Sequence, residues 1–198
     1  MSLTISSLNK SFAEKTLFRD FSYKFDPTGI YAVCGESGIG KSTLLRMIAG
    51  LDTDYTGTIE GGGISAVSVC FQEHRLFPNL TALENVFKVF AKKPSKEDKD
   101  AAKAILSRLK FTELDMHLKP HELSGGMRQR VSFSRAILKE SRILILDEAT
   151  KELDKALADT VLSIIKEESK RRLVIIVTHK SDEIDALGAR IIDLSNLE

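Results

Sequence analysis

Nine consecutive residues, Gly35-Glu36-Ser37-Gly38-Ile39-Gly40-Lys41-Ser42-Thr43, hold the densest chemistry in the chain. They fit the spacing G-x-x-x-x-G-K-[ST], in which glycines let successive backbone N–H groups turn inward around a phosphate and a lysine adds a fixed positive charge. Lys41 supplies that charge, and the Ser42 hydroxyl is suited to ligate Mg²⁺. A second cluster is Asp147-Glu148, which ends the apolar run Ile143-Leu144-Ile145-Leu146. An acid at that point can hold Mg²⁺ through water, and its neighbour can take a proton from an attacking water. Asp147 suits the first role and Glu148 the second. His179 closes another apolar run, Leu173–Val177 followed by Thr178, and is a candidate for a γ-phosphate contact, although a lone histidine is more often structural.

Three weaker candidates lie elsewhere. Gln72 follows the run Val67–Phe71 and could carry an amide to a metal or a water, or simply be solvated. Ser124-Gly125-Gly126 opens a helical pattern, where free N–H groups could meet a second anion, but an ordinary capped helix explains it equally well. Phe12, in the turn SFAEK, is a hydrophobic anchor or a platform for a nucleotide base.

These residues need elements to position them. Gly29–Cys34 reads as a strand entering the loop, and TLLRMIAGL as a helix leaving it with its N-terminal dipole end toward the phosphates. From Leu3 to Phe25 the chain reads as short strands joined by polar turns, forming an antiparallel edge. Gly61-Gly62-Gly63 reads as a turn between strands, so that Thr53 to Val67 makes a hairpin. Residues 73–142 are mostly helical and more polar, as in a lobe inserted into the core; Ser95 with Asp98 marks one helix start there. Pro120 between His117 and His121 argues against a zinc-binding helix at that pair. Leu157, Val161, Ile164 and Ile165 mark a later amphipathic helix, and Arg190–Leu194 a final strand. Alternating strands and helices make the fold α/β with a largely parallel sheet.

The totals narrow the function. At 198 residues and 42% hydrophobic, the chain can bury a real core as a single domain. Its formal net charge of +1 provides no global field to gather nucleic acid, and none is expected as a partner. No apolar run approaches the roughly 20 residues needed to span a bilayer, and the N-terminus lacks the apolar core of a signal peptide, so a cytoplasmic chain is expected. Cys34 and Cys70 sit in apolar runs and read as small buried hydrophobes in a reducing compartment.

In this order the features resemble the ATP-binding subunit of ABC transporters over nearly the whole chain. The resemblance rests on a Walker A motif at Gly35–Thr43, a Q-loop at Gln72, the LSGG signature at Leu123–Gly126 followed by Arg128-Gln129-Arg130, Walker B at Ile143–Asp147 with Glu148, and a switch histidine at His179. The segment Phe71–Pro78 with Leu83-Glu84-Asn85-Val86 is similar to the importer branch serving nitrate, sulfonate and taurine. The resemblance implies a P-loop NTPase core (1–72 and 143–198) with an N-terminal antiparallel β-subdomain and an inserted helical lobe (73–142). It implies ATP and Mg²⁺ as ligands. Lys41, Gln72, Glu148 and His179 become the hydrolytic residues, Ser42, Gln72 and Asp147 the metal ligands, and Phe12 the adenine platform.

In such proteins ATP binds between two head-to-tail copies, so Ser124, Gly125 and Gly126 become the γ-phosphate contacts of a second subunit, here expected to form a homodimer. A separate transmembrane permease, fed by a solute-binding protein, completes the assembly, and the chain is expected on the inner face of the membrane. A groove for the permease is expected near Leu76, Phe77 and Phe87, residues that otherwise read as lobe core. Three departures stand out: Lys151 where the D-loop pattern S-x-L-D has serine, Met127 at the fifth signature position, and a short Thr53–Val67 hairpin and lobe. A soluble ABC ATPase acting on nucleic acid or translation, and a non-hydrolytic ATP clamp, are the competing readings.

Overall fold

A computed structural model describes residues 2–12 and 15–196; within the turn at Phe12, Ala13 and Glu14 lie outside the described residues. The N-terminal segment forms two long strands rather than several short ones, β1 (Thr4–Phe12) and β2 (Lys15–Lys24). They pair antiparallel, and β4 (Thr56–Glu60) pairs on the other side of β1. Irregularities at Ser7 and Asp20, both with positive φ, shift the pairing register, which is why Ile5 and Leu8 both reach the core although they are three positions apart.

The Thr53–Val67 hairpin expected from the sequence is absent. β4 belongs to the antiparallel sheet, whereas β5 (Val67–Cys70) pairs parallel with β6 (Ile143–Asp147). Gly61–Gly63 instead carries the chain from one sheet to the other across the end of α1 (Lys41–Ile48): Gly63 N–H donates to the Ile48 carbonyl at 2.8 Å. A Cβ on Gly62 would lie 2.6 Å from that same carbonyl oxygen, so the triple glycine is explained by close backbone approach rather than by a hairpin turn.

The second sheet is parallel throughout, in the order β5-β6-β7-β3-β8, with β3 at Gly29–Cys34, β7 at Leu173–Val177 and β8 at Arg190–Asp193. Leu194, expected in the last strand, begins a short 3-10 turn. All five residues of β6 and of β7 are buried, as the unbroken apolar runs require. Alternate side chains serve opposite faces. Ile143 and Ile145 pack with Phe18, Phe21, Leu44 and Ile48 under the antiparallel sheet and α1, while Leu144 and Leu146 pack with Phe133 of α5 (Gly125–Leu138) and with Val161 and Ile164 of α6 (Lys155–Glu168).

Between β5 and β6 lie α2 (Ala82–Phe87), α3 (Lys96–Arg108), α4 (Glu113–Met116) and α5, with a separate core of Leu83, Val86, Leu106, Phe111 and Val131. Ser95 and Asp98 form a reciprocal capping box at the start of α3. The chain ends α7 (Ser181–Leu187) at Gly188, which takes the left-handed conformation.

Arg172, just before β7, ties the other end of the sheet together. Its guanidinium donates to the Ser68 and Ser141 hydroxyls and to the Ile137 and Lys139 carbonyls, and lies 2.7 Å from Glu168. Arg172 is buried, as is Glu168. Arg171 also donates to both Glu168 oxygens, at 2.7 Å, so that carboxylate keeps a partner when Arg172 is replaced by methionine. What is lost is the donor to the Ser68 and Ser141 hydroxyls and to the Ile137 and Lys139 carbonyls, so Arg172→Met should lower stability by about 1–3 kcal/mol in denaturant unfolding. A variant as stable as the wild type would show that these bonds are dispensable.

Candidate functional site

The loop after β3 has the backbone its glycines permit. Gly35, Gly38 and Gly40 have φ of 137°, 78° and 116°, a region that side-chain-bearing residues avoid. Gly40 is needed for a second reason: a Cβ there would lie 3.1 Å from the Phe18 ring. It stands as the N-cap of α1 without any side-chain cap, so the helix begins with N–H groups directed at the loop. Lys41 is buried and arches back across the loop, its Nζ donating to the carbonyls of Gly35 and Glu36 at 2.7 and 2.8 Å. A fixed cation is thereby held against the loop by two backbone carbonyls.

Register places the acids opposite. Asp147 aligns with Val177 across the β6–β7 pair, and Ala32 of β3 aligns with Ile176. The Ser42 hydroxyl donates to Asp147 Oδ2 at 3.2 Å, spanning 105 positions of sequence. Burial pushes the Asp147 carboxyl above its ordinary range; the Ser42 bond and Lys41 oppose this, and the adjacent Glu148 charge adds to it. Glu148 is held at φ 53° by a hydrogen bond from its own N–H to the Val177 carbonyl at 2.9 Å. His179 Nε2 lies 3.3 Å from Glu148 Oε1.

A cleft of about 400 Å³ is lined by Phe12, Lys15, Ser37, Gly38, Gly40, Lys41, Ser42, Thr43, Gln72, Asp147, Glu148 and His179. Gln72 lies beyond the end of β5. Phe12 stands at the rim, 51% exposed, with Lys10 Nζ 4.6 Å from its ring centroid. Gly35 and Glu36 contribute carbonyls to Lys41, and the Ile39 side chain packs into the core beneath the loop. Ser124, Gly125 and Gly126 are not part of this cleft; they form the start of α5, where the Ser124 hydroxyl accepts from Met127 N–H at 3.2 Å. The loop after β3 and the start of α5 therefore sit at separate places on one chain.

The family described as ABC transporter matches residues 18–151. This chain belongs to that family. It is 39% identical, over 203 aligned residues, to the aliphatic sulfonates import ATP-binding protein SsuB of Bacillus subtilis strain 168, an alignment covering 95% of this chain and 78% of the relative. It is also 39% identical to the SsuB protein of Bacillus licheniformis, over 96% of this chain and 79% of the relative. Among solved structures, the ATP-binding cassette MJ0796 in a dimeric post-hydrolysis state with ADP and Pi superposes with a TM-score of 0.82 at 25% identity, covering 96% of this chain and 93% of that one.

Within this ABC fold several contacts escape sequence reasoning. Buried Glu183 on α7 accepts from Thr150 at 2.6 Å and Thr178 at 2.8 Å, which ties together the segments that follow β6 and β7 and so places His179. An acid in a helix's first turn is too common for its sequence to signal this. Lys15 donates to the Gly38 carbonyl at 3.0 Å, pinning the phosphate loop to β2. Glu152 packs on α5: a Cβ on Gly125 would lie 2.2 Å from Glu152 Oε2, and one on Gly126 would lie 2.7 Å from the Glu152 carbonyl oxygen. Gly126 is thus required within the single chain, because backbone lies against it, whereas the Glu152 carboxylate facing Gly125 is the mobile end of a half-exposed side chain.

The Asp147 shift has a definite sign. A carboxyl whose folded-state value is raised opposes folding when ionised, above its ordinary range, and the penalty fades as pH falls through the raised value. Asp147→Asn should therefore melt roughly 2–4 °C above the wild type by calorimetry at pH 7, without nucleotide, with the gap closing in acid. An equal or lower melting temperature at pH 7 would contradict this reading of the site.

Proposed function

We propose that this chain is the ATP-binding and ATP-hydrolysing subunit of an importer, two copies of which close head to tail on ATP and drive a solute through a separate membrane permease. The observation that carries the reading is the division of the site. Lys41, Ser42, Asp147, Glu148 and His179 converge on one cleft, while Ser124–Gly126 presents its N–H groups elsewhere, as half of a neighbour's site would. The import relatives support the permease and the direction, and the dimeric cassette supports the pairing of copies.

In this mechanism the loop from Gly35 to Thr43 and Lys41 neutralise the β- and γ-phosphates. Phe12 gives the adenine a face to stack on. Ser42 and Asp147 are hard oxygen donors joined at 3.2 Å, with Gln72 on the same cleft, a donor set that suits Mg²⁺. When bound by Ser42, Asp147 and Gln72, the ion would supply positive charge to offset the charge developing in phosphoryl transfer. Glu148 takes the proton of the attacking water, and His179 and Gln72 position that water and the γ-phosphate. Ser124, Gly125 and Gly126 of the second copy complete the γ-phosphate contacts, so binding energy joins the subunits and hydrolysis releases them.

Residues 1–72 and 143–198 would act as the core and 73–142 as a lobe that turns against it. Leu76 and Phe87 are half-buried against the lobe core, which leaves Phe77 as the exposed residue of the expected permease groove. Beside it, a groove of about 250 Å³ between core and lobe is lined by Leu51, Ile64, Phe71, Val89 and Arg135, and Arg135 also lies over the Phe77 ring. A segment of the permease is the proposed occupant. Among the described residues no helix is long and apolar enough to cross a membrane, which fits a subunit seated on the inner face and reached by a solute-binding protein only through the permease. The near-neutral charge favours no nucleic-acid partner.

Glu148→Gln keeps the size and the backbone bond but removes the base. It should retain ATP binding, slow turnover by about 10²–10⁴-fold and accumulate an ATP-bound dimer on gel filtration. Wild-type hydrolysis by this variant would remove Glu148 from the role.

A further inference from the structure

Both carboxylate oxygens of Glu148 have a neighbour. Lys151 Nζ donates to Oε2 at 2.6 Å, while Oε1 faces His179 Nε2 at 3.3 Å. The two sides of the lysine contact differ in mobility. Glu148 is fixed by its backbone bond to Val177, and its side chain is only 14% exposed; the Lys151 side chain is 55% exposed, on the turn between β6 and α6. A general base must aim a lone pair at the water within about 2.6–3.2 Å, and an ammonium at 2.6 Å already occupies one of the two oxygens. Lysine places a charged donor on that oxygen, which the neutral serine of the usual D-loop pattern cannot supply.

We infer that Lys151 is a positioning residue that holds the Glu148 carboxylate away from the attacking water, keeping turnover low until the turn that carries it moves. This rests on the hydrolytic reading above and adds a restraint to it. The neighbouring residue supplies a means of release. Glu152 lies against Gly125 and Gly126 and is 3.8 Å from His74 Nε2, so the pair Lys151-Glu152 runs from the base to the start of α5. A phosphate arriving at Ser124–Gly126 would meet the Glu152 carboxylate, and like charge would displace it together with the turn. Besides Lys151 and His179, the charge nearest the Glu148 carboxylate is that of Asp147, beside it in the chain, on which Lys41 also acts.

The test is steady-state ATP hydrolysis by the whole purified subunit, comparing wild type with Lys151→Met and Lys151→Arg. An exposed ion pair is a weak restraint, so kcat of Lys151→Met should rise roughly two- to fivefold with KM for ATP unchanged, while Lys151→Arg stays near wild type. Added salt should narrow the gap between wild-type and methionine-variant kcat, because screening weakens a pair that only the wild type has, while its effects on ATP and subunit contacts are common to both. A methionine variant no faster than wild type, or an arginine variant as fast as methionine, overturns the restraint while leaving the hydrolytic reading intact. A wild type that hydrolyses no ATP at all overturns both.

Discussion

The parallel pairing of three strands is the constraint on which everything else depends. β3, β7 and β6 lie side by side in register, so that Ala32, Ile176 and Leu146 form one row across the sheet. Parallel strands end at the same edge, and here the phosphate loop, Asp147-Glu148 and Thr178-His179 all emerge there. Burial on both faces prevents slippage, because a shift of one residue would exchange the side chains packed on α1 for those packed on α5 and α6. Residues more than a hundred positions apart are thereby brought to hydrogen-bonding distance at Ser42 and Asp147.

That dependence explains what can be read from the sequence. Ile143–Leu146 and Leu173–Val177 are runs with no polar interruption, and such runs fit few places other than the middle of a parallel sheet. The loop is legible because its glycines and Lys41 are demanded by local backbone geometry. Gly61–Gly63 misleads because a glycine run marks close backbone approach without saying what approaches. Here the neighbour is the end of α1, far away in sequence, and the result is a crossing between sheets. Long-range polar ties such as Glu183 to Thr150 and Thr178, or Lys151 to Glu148, join residue types too common to stand out.

The glycines of Ser124-Gly125-Gly126 show two demands meeting at one place. Within the chain they admit Glu152; between chains, on the proposed function, they would admit a phosphate. Both uses call for residues without side chains, so on that proposal the same two glycines would serve the single subunit and the closed pair. The lone chain holds a loop with a buried lysine, a carboxylate whose ionisation burial disfavours, and Glu148, the proposed base, bonded to Lys151. On the proposed function this is a site at rest, and a second copy would supply the missing surface.

The central claim is that the competent site spans two copies of this chain. The most direct measurement is the rate of ATP hydrolysis per subunit across a dilution series of the wild-type protein at saturating ATP. The account predicts that the specific rate falls as the protein is diluted and reaches a plateau when concentrated, following formation of the pair. A specific rate independent of protein concentration, with the protein monomeric throughout by sedimentation, would contradict it.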